Sequence, residues 1–147
     1  MIAKAVAAFD SVQFRMSEAG HVANLADAQR RVGRLTEAAA TCERAMELMP
    51  EGCQWLEADL RRVHALVAAD LAPTEPDRAE TLFRGAVRCA QDYGFPVLER
   101  RCLLSLAQFL DSAGRPDATV ESRLGELSHL GDLDRRVARA MKKSSHV

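Results

Sequence analysis

One self-match constrains this chain more than any other feature: Gly33-Arg34 returns as Gly114-Arg115, an offset of 81 residues (114 less 33). At the same offset Ala5 meets Ala86, Val6 meets Val87, Phe14 meets Phe95 and Glu18 meets Glu99. Val22 meets Leu103, and Leu25-Ala26 meets Leu106-Ala107. A fixed internal period marks an array whose units cannot bury their apolar faces alone and must stack on one another. Half the offset is roughly 40 residues, which suits a repeated helical hairpin. Ala38, Ala79 and the Ala118-Thr119 pair recur at about that interval.

Apolar spacing predicts about eight helices and no strand, because no stretch alternates with period two for long. Ile2, Ala5, Val6 and Phe9 share one face of a short helix over 2–11. A longer helix over 14–32 carries Met16, Val22, Leu25, Ala26 and Gln29 as a stripe, with Gly20 inside it and Gly33 as its stop. The next spans 35–49 and ends at Pro50 and Gly52. A third long helix over 55–71 turns Leu56, Leu60, Val63, Leu66 and Val67 inward, and Ala72-Pro73-Thr74-Glu75-Pro76 breaks it. Helices over 77–93 and 96–114 follow, the first stopped at Gly94 and the second opened by Pro96. Helices over 116–130 and 133–143 complete the set, separated by Gly131-Asp132.

The composition fits this reading and removes several function classes. A chain of 147 residues forms one domain, and 48% hydrophobic content is enough for a core. Aromatics supply only 5%, so the packing relies on Ala and Leu, which suits close helix crossings. A net charge of −1 provides no field for nucleic acid or an anionic membrane, and no apolar run reaches membrane-spanning length. The N-terminal apolar run is short and interrupted by Asp10, unlike an export signal, so Cys42, Cys53, Cys89 and Cys102 read as reduced thiols in a cytoplasmic protein.

The unit from Val22 to Pro50 resembles the tetratricopeptide repeat. Val22, Leu25-Ala26, Gln29, Gly33, Ala38, Cys42, Ala45 and Pro50 stand at that family's spacing of about 34 residues. Val22, Gln29 and Cys42 replace its usual large or aromatic residues. A second unit keeps Ala79, Phe83 and Ala86. A third keeps Leu106-Ala107, Leu110 and Gly114, with Val120, Leu124 and Leu127 as its second apolar stripe. The longer spacing is similar to that of the degenerate repeats at the C-terminal ends of bacterial ATPase-type transcriptional regulators and nucleotide cyclases. The resemblance implies an all-α, right-handed superhelical stack of about three hairpins: a partial repeat helix at 1–13, repeats at 14–50, 52–94 and 95–130, and a capping helix at 132–143. Because Ala5 matches Ala86 of a second repeat helix, the chain reads as opening in mid-repeat, a piece of a longer array or a gene remnant.

Chemistry-bearing motifs are sparse. The cysteines and His21, His64, His129 and His146 lack the close spacing of metal ligands; Cys53/His64 and Cys89/Cys102 are the pairs a fold could bring together. Cys42 and Cys89 fall in apolar stripes and read as core. No Gly-rich phosphate loop or nucleophile context occurs, and Asp59 with Arg62 and Glu80 with Arg84 read as ion pairs on helix surfaces. The chain therefore reads as a non-enzyme without cofactor or metal. Arg135, Arg136, Arg139, Lys142 and Lys143 read as the polar face of a cap, without the interleaved aromatics of a single-strand binder.

Function then rests on the groove that the resemblance implies, lined by the first helix of each hairpin. The residues placed there are Asn24, Asp27 and Arg31, then Arg62 and Leu66, then Arg101, Ser105 and Gln108. Asn24 falls where the family often holds a peptide backbone, while Ala23 and Asp27 do not supply the Lys and Asn of its carboxylate clamp. The expected partner is a protein or peptide segment. The alternative is an oligomerisation or regulatory module of a larger bacterial signalling or transcription-regulatory protein, self-associating through its terminal helices with Ile2, Val6 and Phe9 exposed.

Overall fold

The computed structural model describes residues 20–49, 51 and 53–131. The helices expected at 2–11 and 133–143, residues 14–19, Pro50 and Gly52, and the basic run from Arg135 lie outside the described residues, as does the expected exposure of Ile2, Val6 and Phe9. What is described is all-helical: α1 over 20–31, α2 Leu35–Leu48, α3 Gln54–Leu71, α4 Pro76–Asp92, α5 Pro96–Ser112 and α6 Ala118–Glu126, with a last helical turn over 128–131.

Local chemistry sets these bounds. Gly33 and Gly114 take φ of 79° and 67°, the left-handed region where a Cβ is costly. At the end of α1, Arg34 N–H donates to the Gln29 carbonyl and Gly33 N–H to the Arg30 carbonyl; Arg115 and Gly114 make the same pair of bonds to Leu110 and Asp111 after α5. Both ends are Schellman closures, so the offset of 81 residues links two equivalent turns. Pro76 and Pro96 occupy the first turns of α4 and α5, where the missing N–H costs nothing.

The start and end expected for the helix over 116–130 are both corrected. α6 begins at Ala118, since the Asp117 carboxylate accepts from Thr119 N–H at 2.9 Å and Val120 N–H at 3.4 Å and so makes Asp117 the N-cap. It closes at Leu127, whose N–H bonds back to the Arg123 carbonyl, before a separate turn begins.

The core is divided into clusters that each join neighbouring helices. Ala26 of α1, Ala38 and Cys42 of α2, and Val63 and Val67 of α3 form one cluster; Ala23, Ala45 and Leu60 form another beside it. The alanines at the crossings are buried, as close helix approach requires. A larger cluster joins Ala65 of α3, Phe83, Ala86 and Val87 of α4, Leu103, Leu106 and Leu110 of α5, and Val120 of α6. Each of α3 and α5 therefore packs on the helix before it and the helix after it. Leu25, expected inside its helix's stripe, is exposed to 51%, and Leu104 of α5 is exposed to 36%. Period alone cannot tell which neighbours on an apolar face a second helix will cover, and no described helix covers these two.

All four cysteines are free and buried. Burial, reinforced by Glu43 and Asp27, pushes the Cys42 thiol up to about 11; burial pushes Cys102 up to about 12. These two sulfhydryls are expected to alkylate at least about a hundredfold more slowly in the native protein than in urea, because reaction needs both opening and a thiolate. Mass-spectrometric timing of iodoacetamide uptake at pH 8 checks this; native uptake at the urea rate would show that the α1–α3 and α3–α5 packing opens freely.

Candidate functional site

The described stack places α1, α3 and α5 side by side and running in the same direction. Arg30 Nη1 of α1 reaches Asp70 Oδ2 of α3 at 2.8 Å, across 40 residues of sequence. Arg101 Nη1 of α5 lies 3.6 Å from Asp59 Oδ1 of α3. Spacings of three and four residues put Asp59, Arg62, Leu66 and Asp70 on one stripe of α3, and Arg101, Ser105, Gln108 and Ser112 on one stripe of α5. The two stripes face each other along the seam.

The eight residues expected to line a groove separate into four groups. Asp27 is half-buried and accepts from Arg30 Nε at 3.1 Å and from Arg31 Nε at 2.8 Å. Burial raises the Asp27 pKa, but the two guanidiniums outweigh it and hold the carboxyl below its usual range. Burial would lower the Arg30 pKa, but Asp70 and Asp27 outweigh it and hold the guanidinium charged. Asp27 and Arg31 therefore belong to an ion cluster that fastens α1 to α3. Arg62 donates from Nε to Asp59 Oδ1 at 2.9 Å and shares that oxygen with Arg101, forming a second fastening between α3 and α5. Asn24 is exposed on α1, apart from both clusters.

Leu66, Ser105 and Gln108 are brought together. They line a recess of about 350 Å³ between α3 and α5, with Ala69, Phe83 and Phe109 completing its apolar wall. Phe83 and Phe109 stack at 5.2 Å between centroids, tilted by 35°. Ser105 is buried, and Gln108 stands exposed at the rim. The recess has room for a single large side chain against its apolar wall, with the Ser105 hydroxyl, the Gln108 amide and the Asp70 carboxylate in its polar lining.

Sequence reasoning missed Arg30, Asp70 and Phe109 here. The signal for the first two was a basic and an acidic residue one repeat length apart, and for Phe109 a lone aromatic beside Gln108.

The other perturbed acids outside this seam are also held by arginines. Glu99 receives Arg123 Nε at 2.7 Å and Nη2 at 3.0 Å, together with Gln91 Nε2 at 2.9 Å. Asp117 receives Arg84 Nη2 at 2.7 Å besides its capping bonds. Such fully paired carboxylates account for lowered pKa values structurally. Cys89 packs with Ala58 and Ala90, and Cys102 lies in the main core with its Sγ 3.8 Å from the Ala58 carbonyl oxygen. Among the described residues no three metal-ligating side chains come together, and no helix is long and apolar enough to cross a membrane.

Comparison with protein-family models, with curated proteins and with solved structures finds no match to this chain.

Proposed function

We propose that the chain is a tetratricopeptide-like repeat module, wound as a right-handed superhelix, that binds an extended protein segment along the α1/α3/α5 face. The observation that carries this reading is the recess between α3 and α5, where Leu66, Ser105 and Gln108 meet over the Phe83/Phe109 pair. The ion clusters above and below it act as rigid walls, since their arginines and carboxylates already satisfy one another. One apolar side chain of the partner anchors in the recess, and its flanking backbone bonds to Gln108 and Asn24. Binding rather than catalysis suits a face whose titratable groups are consumed in ion pairs.

The test is a displayed peptide library panned against the folded chain, with the enriched sequences measured on the wild type and on Gln108→Trp. The exposed Gln108 can carry an indole that fills the recess without entering the core. Enriched peptides should share one large apolar position and bind the variant at least about tenfold more weakly, a change of about 1.4 kcal/mol. Equal binding to both proteins would remove the recess from the interface.

A second reading, self-association, is favoured by one observation. Leu25 of α1 and Val32, in the turn just past its end, lie seven residues apart and are 51% and 72% exposed. Light scattering of the same preparation decides it: a dimer that Val32→Glu returns to monomer establishes that face as an interface.

A further inference from the structure

A second recess, of about 490 Å³, opens where α4 and α6 diverge over α5, and it shares no lining residue with the one between α3 and α5. Its floor is apolar, with Val87 from α4, Leu103 and Leu106 from α5 and Val120 from α6. Its walls are cationic, with Arg84 and Arg88 from α4 and Arg123 from α6. Apolar floor and charged rim together describe a site for a molecule that has one end of each kind.

The three cations are not equivalent. Arg84 donates to Glu80 Oε1 at 2.8 Å and to Asp117 Oδ2 at 2.7 Å. Arg123 is committed to Glu99 and, through Nη1, to Glu126 at 2.6 Å. Both guanidiniums are fixed in place and their charges are matched. Arg88 is exposed on the α4 wall and forms no ion pair or hydrogen bond with another described residue. Among the described residues the recess therefore offers one unmatched positive charge. Four carboxylates, Glu80, Glu99, Asp117 and Glu126, stand behind the other two cations and repel a multiply charged guest.

We propose that this recess binds a small organic monoanion with an apolar body, its carboxylate on Arg88 and its chain along Val87, Leu103, Leu106 and Val120. The volume lies within the ordinary range of small-ligand sites and far exceeds what one inorganic anion occupies. A free phosphate has nothing to place on the apolar floor and meets the four acids with more than one negative charge. An uncharged chain leaves Arg88 unmatched. The monoanion alone satisfies floor and rim together.

Decanoate is the probe, added to the full chain with methyl resonances of Val87, Leu103, Leu106 and Val120 followed by NMR. Saturable shifts at these methyls are expected. Arg88→Gln should weaken binding at least about tenfold, as expected for a lost charge-assisted contact, and decanol should bind the wild type similarly weakly. Arg88 is exposed and without a partner among the described residues, so the variant keeps the fold, which its unperturbed methyl spectrum without ligand verifies. Inorganic phosphate should leave the four methyls unmoved. The proposal is overturned if decanoate does not shift them, if Arg88→Gln or decanol binds as tightly as the wild type with decanoate, or if phosphate alone saturates the site.

Discussion

Phe83→Ala is expected to cost about 4 kcal/mol, the largest loss expected from truncating a side chain among the described residues. Among the described residues Phe83 is the bulkiest fully buried side chain, 1% exposed, and from α4 it joins residues of α3, α5 and α6 in one large cluster. Its ring also backs the recess between α3 and α5 and packs against Phe109. Removing it takes away the transfer energy of the ring and leaves a void that two aligned helices cannot collapse onto without breaking the Arg62–Asp59–Arg101 fastening. Phe83→Leu keeps most of the volume and should cost about 1 kcal/mol. Phe109→Ala, at a half-buried site, should fall between them. Urea unfolding of the three variants measures the order. A loss under about 1.5 kcal/mol for Phe83→Ala would mean that the contacts between α4 and α5 hold the stack without this ring.

What was legible in the sequence follows from which interactions are local. Gly33 and Gly114 announce helix ends because a Schellman closure involves only residues within one turn. Pro96 announces a start for the same reason, whereas Pro76, read as the end of the breaker after α3, is the first residue of α4. Ala26, Ala38 and Ala45 could be placed in the core because small residues at helical spacing mark close crossings, and the structure buries all three. The start of α6 was misplaced because Pro116 and Asp117 both suit a helix entrance, and only the bonds to Thr119 and Val120 choose between them.

The candidate face was legible as a set of stripes but not as contacts. Asp27 and Arg31 have the spacing of exposed polar residues, yet Asp27 is drawn into the cluster that Arg30 makes with Asp70, and that partner lies 40 residues away. Leu66, Ser105 and Gln108 could be assigned to one face from their spacing. That they share one recess depends on α3 and α5 lying side by side, which no local pattern encodes. Glu99 is the sharpest case. A glutamate in the first turn of a helix reads as a solvated residue near the helix dipole, and its partner Arg123 stands 24 residues later on another helix.

That pair carries the second large effect. Glu99 is 3% exposed, and its two oxygens are occupied by Arg123 and Gln91. The Arg123 hydrogen bonds hold its carboxyl below the ordinary 4.5, against the upward push of burial and with help from Gln91. The folded value is thus lower than the unfolded one. The stability this ionisation contributes is complete above the unfolded value and is lost as the pH falls through the folded value. Arg123→Met removes the counter-charge but leaves the acid in place, so at pH 7 the buried, unpaired Glu99 carboxylate should cost about 3 kcal/mol. In the variant only burial and Gln91 act on Glu99, and its pKa rises. Acidification then protonates it before the wild type begins to lose its ion pair, and the gap between the two proteins should narrow as the pH falls from 7 to 4. Glu99→Leu/Arg123→Met removes both charges and should recover most of the loss at pH 7, since an apolar pair of similar volume avoids the desolvation altogether. Urea unfolding of the three proteins across that pH range separates the electrostatic account from simple packing. If the Arg123→Met deficit is independent of pH and persists in the double variant, the α5–α6 contact depends on the arginine's aliphatic stem, and the carboxylate it holds is incidental to stability.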